Sequence, residues 1–180
     1  MIDKKRIKEA RQNFAQYLQE GLIKKENNET AKAMYAKNAD LSLNLAEECM
    51  NSTLKPYIWV VVISYYSMFY IANAVLLELG YKTGDKVVHK VTQDALIVLV
   101  RDKIRKGLLE EYENAKEDAL EIASIKSDEI IAFYGLEMDK RSRFQYNMTE
   151  SIQEQKANTS LNRAKQFMLE MKKLLPLSKK

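Results

Sequence analysis

The segment from Lys140 to Asn147 combines side chains that bind phosphate with side chains that stack on bases. Arg141 and Arg143 each carry a planar guanidinium whose N–H groups match two phosphate oxygens. Tyr146 offers an aromatic face for a base, and Asn147 adds an amide beside it. In a helical segment Arg143, Tyr146 and Asn147 share one face, at spacings of three and four. The segment predicts a site for RNA or a nucleotide; the alternative is a basic connector that its single phenylalanine anchors to the core.

The sequence contains no motif that is typical of the other common catalytic mechanisms. It contains no glycine-rich phosphate loop, no CxxC pair and no HExxH motif. The single histidine, His89, does not suffice for a histidine-rich metal site, and we interpret it as a first-turn residue of a helix capped by Asp85. The adjacent pairs Glu47-Glu48 and Glu110-Glu111 diverge on a helix, which favours a solvated face. Cys49 excludes an internal disulfide and is interpreted as a packing residue. We therefore expect neither a metal nor a cofactor.

The elements that position such a site are organised around Ile58–Leu77, twenty consecutive residues without a charge. A helix of this length spans ~30 Å, enough to cross a bilayer core. Polar-capable side chains within it favour a buried position at the centre of a soluble bundle over a membrane span. These side chains are Ser64, Tyr65, Tyr66, Ser67, Tyr70 and Asn73. Pro56 is expected in its first turn and Gly80 at its end.

Helical periodicity predicts amphipathic helices on both sides of this central one. The first covers Asp3 to about Ile23 and is followed by a loop over 24–28. The second begins near Glu29, with Thr30 as its cap, and ends at 51–53. After a turn over 81–85, further helices are expected from Asp85, from about Gly107, from a fresh cap at Ser127-Asp128 through Leu136, and from Thr149 to Pro176. The valine-rich stretch 87–99 also fits a strand, but it has no partner strand.

Composition indicates one all-α domain over residues 1–180. The chain is 46% hydrophobic, with only five Gly and two Pro, which is typical of helices. We predict an antiparallel up-and-down helical bundle of about five long helices plus a short one, with a frayed tail at 177–180. The net charge of +4 and a pI near 8.9 permit an anionic partner. No secretory signal or membrane span is expected, so a cytoplasmic location is predicted.

The central helix carries a resemblance to a known family. The run Ser64–Phe69, followed by alanines, a Leu-Leu pair and Gly80, resembles the "YYAMFHAAKALLLELG" helix of small stand-alone archaeal and bacterial HEPN-domain proteins. A histidine segment follows the turn in that family, and His89 occupies this place. The run Arg141–Tyr146 is similar to the family's "R-x-x-A-D-Y" pattern, and Ala164–Phe167 is similar to its later Ala-x-x-Phe element. The resemblance covers roughly residues 30–175.

The resemblance implies a homodimeric helical bundle whose cleft is lined by the arginine motif. Many HEPN proteins are metal-independent ribonucleases with an Arg-x(4–6)-His motif, and they are often toxins paired with a minimal nucleotidyltransferase antitoxin. In that chemistry the RNA 2′-OH attacks, arginine holds the phosphate and histidine moves protons.

This sequence departs from the family motif, because Tyr146 follows Arg141 after four residues where the family has histidine. A phenol with a reference pKa of ~10 is a poor proton acceptor at neutral pH. Gln145 also replaces the Asp of the pattern. Our leading prediction is an RNA- or nucleotide-binding component of a toxin–antitoxin or defence system. The alternatives are a ribonuclease that uses Arg141, Tyr146 and His89 across a dimer, and a non-catalytic helical adaptor for another protein.

Overall fold

The computed structural model describes residues 2–134 and 150–176 as an antiparallel bundle of α-helices, which confirms the predicted all-α class. Two three-residue strands and one 3₁₀ turn (Arg101–Lys103) accompany the helices. In chain order the elements are α1 (Lys4–Glu20), β1 (Ile23–Lys25), α2 (Glu29–Met50), α3 (Tyr57–Glu78), β2 (Tyr81–Thr83), α4 (Val88–Leu99), α5 (Leu108–Tyr134) and α6 (Glu150–Lys172).

Helix α3 is the central element, as the uncharged run predicts. It contacts α2, α4, α5 and α6. Fifteen of its 22 residues are buried. The helix is long and apolar enough to cross a membrane, with a mean hydropathy of 1.8, but 78% of that stretch is buried inside the protein. Burial on nearly every side explains why an almost entirely apolar sequence suits this position.

Two buried clusters hold the helices together. The larger one runs along α3 and includes Met68 and Leu76, with Tyr112 of α5 stacked on Phe167 of α6 at 5.2 Å between ring centroids. The smaller one lies where the α2–α3 turn meets α6 and includes Tyr57 and Leu161. Cys49 is free and packs against this smaller cluster, in agreement with its predicted packing role.

The strands β1 and β2 were not expected from the sequence, which predicts helix and loop at the first and a turn at the second. Gly21 adopts a left-handed conformation (φ +70°) that ends α1 at Glu20, three residues before the predicted end. The chain then pairs antiparallel with the residues after α3, with Ile23 opposite Thr83. Ile23 is fully buried, so side-chain burial and backbone pairing together override the helical pattern.

Other predicted boundaries also differ from the structure, and α6 ends at Lys172 rather than at Pro176. The cap of α2 is Asn28, not Thr30, because the Asn28 side chain accepts a hydrogen bond from the amide of Ala31. Helix α4 begins at Val88 after a bend over 85–87, so Asp85 is not its cap. Helix α5 continues through the predicted cap at Ser127-Asp128 to Tyr134, so no separate short helix begins there.

Candidate functional site

The candidate site is built around His89, the second residue of α4. Its Nδ1 lies 2.7 Å from the hydroxyl of Tyr65 on α3. The predicted first-turn position of His89 is therefore confirmed, although the helix begins later than expected. The contact joins the only histidine of the chain to the central helix, at the motif that carries the HEPN resemblance.

Three aromatic rings of α3 lie close to the ring of His89. Its ring centroid lies 4.7 Å from that of Phe69, 5.6 Å from Tyr65 and 6.1 Å from Tyr66. Tyr112 of α5 lies behind Tyr65 at 5.8 Å. Tyr65 and Tyr112 are buried, whereas 38% of Tyr66 is exposed. These four rings form the aromatic cluster, and Tyr66 is the ring that reaches the surface. An exposed aromatic face beside a histidine is a platform on which a base can stack.

Burial determines the protonation of this cluster. It lowers the pKa of His89 below its ordinary value, and the nearby charge of Lys116 lowers it further. Burial also raises the pKa of Tyr65 well above the ordinary value, so this hydroxyl keeps its proton. His89 is therefore neutral at pH 7. When Tyr65 donates its proton to Nδ1, the imidazole proton lies on Nε2, where it can meet a ligand.

Cationic side chains lie around this histidine. Lys86 and Lys90 flank it in sequence, and both are exposed. Lys116 of α5 donates to the side chain of Gln93, one turn further along α4, and Gln93 donates to Glu113. The positive charge beside a neutral imidazole suits a phosphate, since lysine ammonium groups bind phosphate as point charges.

A buried acidic residue supports the next turn of α4. Asp94 is fully buried and lies 2.6 Å from the guanidinium of Arg6 on α1. The same carboxylate accepts hydrogen bonds from Asn13 (2.9 Å) and Tyr17 (3.0 Å). Arg6 also lies 3.5 Å from Glu113. This network fixes α1 to α4 and α5, so it orients the helix that presents His89.

The residues predicted from the Lys140–Asn147 segment cannot be placed against this site. Arg141, Arg143, Tyr146 and Asn147 lie outside the described residues. Their role in binding RNA or a nucleotide stays a prediction. A contact between Tyr146 and His89 also stays a prediction.

The part of the chain that the structure describes contains no group of three or more His, Cys, Asp or Glu side chains arranged to hold a metal ion. Of the glutamate pairs predicted to form a solvated face, Glu48 is exposed and Glu47 is partly exposed in an ion pair with Lys165 at 2.7 Å, while Glu111 lies 2.9 Å from Arg105.

A surface cavity of about 660 Å³ lies away from His89, at the start of α5. Its wall includes Arg101 and Arg105, but these side chains already pair with Asp102 (2.8 Å) and Glu111 (2.9 Å). Because its charged wall residues carry both signs, the cavity has no clear preference for an anion.

Comparisons with protein-family models, with curated proteins and with solved structures find no significant match. The geometry around His89 and the sequence motifs are therefore the observations that bear on function.

The residues that hold His89 are not predictable from the sequence pattern alone. Tyr65 and Tyr66 stand out in the sequence as polar-capable side chains of an apolar helix and as part of the run that resembles the HEPN motif, but not as contacts of His89, and Arg6 and Asp94 do not stand out at all. A tyrosine pair in an otherwise uncharged helix is the signal for the first two, since a buried tyrosine usually finds a hydrogen-bond partner.

Proposed function

We propose that this chain is a HEPN-like RNA- or nucleotide-binding component of a toxin–antitoxin or defence system. It acts as a homodimer and has a minimal nucleotidyltransferase as its partner protein. The observation that carries the proposal is the pairing of His89 with Tyr65, because it joins the histidine segment to the central-helix motif, the more specific part of the HEPN resemblance.

The chemistry around His89 supports a phosphate-containing ligand with a base. The Nε2 of a neutral His89 donates to a phosphate oxygen, and Lys90 supplies positive charge beside it. The exposed face of Tyr66 stacks on a base. Arg141 and Arg143 add the phosphate contacts that the family motif implies.

Binding of a labelled single-stranded RNA pool at several salt concentrations tests the proposal. The double variant Arg141→Ala/Arg143→Ala is expected to bind more weakly and to lower the slope of log affinity against log salt by about 2, roughly one for each lost phosphate contact. Arg11→Ala on the exposed face of α1 is the matched control and is expected to leave the slope unchanged. Equal affinities for the wild type and the double variant contradict the proposal.

The His89 end of the site needs its own variants. His89→Gln keeps a polar side chain but loses the imidazole, and Lys90→Ala removes one exposed cation. Both are expected to weaken RNA binding, and Lys90→Ala is expected to lower the salt slope by about 1. If only the arginine segment binds RNA, both variants keep the wild-type affinity. That result would show that His89 is not part of the binding site.

A second candidate function is a metal-independent endoribonuclease, which the neutral state of His89 favours. In the other tautomer, in which the Nδ1–H of His89 donates to the Tyr65 oxygen, the free Nε2 can accept the proton of an RNA 2′-OH while Arg141 holds the phosphate. The imidazolium then returns this proton to the 5′ oxygen that leaves. Incubation of the pure protein with mixed RNA in EDTA is expected to give 2′,3′-cyclic phosphate ends, and both Arg141→Ala and His89→Gln are expected to abolish the cleavage. Intact RNA after long incubation leaves binding as the function.

A further inference from the structure

Helices α2 and α3 present an apolar stripe to solvent. It consists of Met34, Leu41 and Leu45 on α2 with Trp59 and Tyr66 on α3. Their exposed fractions are 60%, 55%, 47%, 55% and 38%. Single exposed apolar residues are ordinary on a protein surface, but a continuous patch that contains tryptophan and tyrosine is typical of an interface.

The stripe is continuous because the two helices run side by side. Met34, Leu41 and Leu45 are spaced by seven and four, so they share one face of α2. Tyr35 contacts Tyr70 across the antiparallel pair, at 6.2 Å between ring centroids. The same register places Leu41 and Leu45 beside the part of α3 that carries Trp59 and Tyr66. Helix α3 contains no charged residue before Glu78.

The charges of α2 indicate what covers this stripe. Four of its six charged residues are paired within the chain: Glu29 with Lys32, Lys32 also with Glu78, Asp40 with Lys172 and Glu47 with Lys165. The other two, Lys37 and Glu48, are exposed and have no ion-pair partner among the described residues. They lie eleven positions apart, about three helical turns, on the same flank of the stripe.

This spacing matches a second copy of the same helix. When two identical helices pack antiparallel about a two-fold axis, side chains on the same flank face each other. An axis near Ser42 and Leu43 places Lys37 of each copy opposite Glu48 of the other. It also places Leu41 of one copy beside Leu45 of the other, at the centre of the contact.

We propose that α2 pairs antiparallel with α2 of a second copy of this chain, burying Met34, Leu41, Leu45 and Trp59 of the apolar stripe and forming two reciprocal Lys37–Glu48 ion pairs. The interface then has an apolar centre and a charged margin. Tyr66 belongs to both the stripe and the aromatic cluster and lies at the margin of the contact, where its ring stays open to a base, so each His89 site lies at the edge of the interface. This interface assigns a surface and a register to the homodimer of the proposed function. It rests on the homodimer part of that function and on no other part of it.

Charge reversal tests the register. Lys37→Glu places like charges opposite each other at both ends of the interface, as does Glu48→Lys, and each is expected to weaken the dimer at least about tenfold. The double variant Lys37→Glu/Glu48→Lys restores opposite charges and is expected to recover wild-type dimerisation. Sedimentation equilibrium without RNA gives the dissociation constants, and Lys8→Glu on α1 is the control. If the double variant dimerises no more tightly than either single variant, the proposed register is wrong.

The apolar contact has a separate test. Leu41→Glu is expected to yield a folded monomer, whereas Leu120→Glu on α5, where the leucine is 40% exposed, is expected to remain dimeric. Circular dichroism checks that both retain their helices. A wild-type protein that is monomeric at all concentrations overturns the proposal, as does a Leu41→Glu variant that still forms a dimer. These measurements contain no RNA, so they test the dimer separately from the RNA binding of the proposed function.

Discussion

The hydroxyl of Tyr65 lies 2.7 Å from Nδ1 of His89, so a residue at the middle of the central helix holds the first turn of α4. The His89 ring lies 5.6 Å from that of Tyr65 and 4.7 Å from that of Phe69, and its protonation depends on its burial at this position. This dependence leads to a measurable pH effect.

We expect His89 to titrate below its reference pKa of 6.5, because burial and the Lys116 charge both disfavour the imidazolium. The unfolded chain then binds the proton at a higher pH than the folded one. The free energy of unfolding should consequently decrease as the pH falls from 6.5 towards the folded pKa, and should level off below it. NMR titration of the single histidine gives the pKa. Urea unfolding of His89→Gln should lack this slope, and an equal slope in both proteins would contradict the prediction.

Replacing Asp94 should destabilise the fold strongly. Its buried carboxylate pairs with Arg6 and accepts hydrogen bonds from Asn13 and Tyr17, so Asp94→Ala removes three interactions and leaves Arg6 without this partner. We expect a loss of about 3 kcal/mol in the free energy of unfolding, measured in urea. Asp102→Ala is the control, since this side chain is 80% exposed in its pair with Arg101 and should change stability by less than ~1 kcal/mol. Similar values for the two variants would contradict the role of Asp94.

Tyr17 should ionise only in strong alkali. Burial, together with the hydrogen bond to Asp94, raises the pKa of Tyr17 from 10.0 to about 12. The folded state therefore holds this proton more tightly than the unfolded state does. The resulting stabilisation is fully present below pH 10 and is lost as the pH rises towards 12. Ultraviolet titration of the phenols should show one fewer group ionising near pH 12 in Tyr17→Phe, and its stability should decline less between pH 10 and 12.

A buried hydrogen bond attaches β2 to the central helix. The Thr83 hydroxyl donates to Oδ1 of Asn73 at 2.7 Å, while the Asn73 amide donates to the carbonyl of Phe69 at 2.9 Å. Thr83→Val keeps the shape but leaves the Asn73 oxygen without this donor, so we expect a loss of about 1–2 kcal/mol in unfolding free energy. Thr83→Ser retains the hydroxyl and should lose less. A serine variant less stable than the valine variant would show that packing, not the hydrogen bond, matters here.

The helices were predictable from the sequence because each long one repeats apolar residues with a period near 3.6. The strands were not, since three residues are too few to display alternation. Ser127 and Asp128 have the chemistry of a cap, but the backbone of α5 passes through them without a break.

Within the candidate site, His89 was predicted in the first turn of a helix, yet its contact with Tyr65 depends on how α3 and α4 pack. The same holds for Arg6 and Asp94, which lie 88 positions apart in the sequence. Such pairs carry no local signal.

The only tryptophan provides a reporter for the proposed dimer. Trp59 is 55% exposed in one copy and belongs to the apolar stripe, so a second copy that covers the stripe should shield its indole from water. Raising the protein concentration through the dissociation constant should shift its emission to shorter wavelength and reduce quenching by acrylamide. Leu41→Glu should keep the exposed spectrum at every concentration, because a buried carboxylate opposes association. A spectrum that changes equally in the wild type and in Leu41→Glu would place Trp59 outside the contact between the two copies.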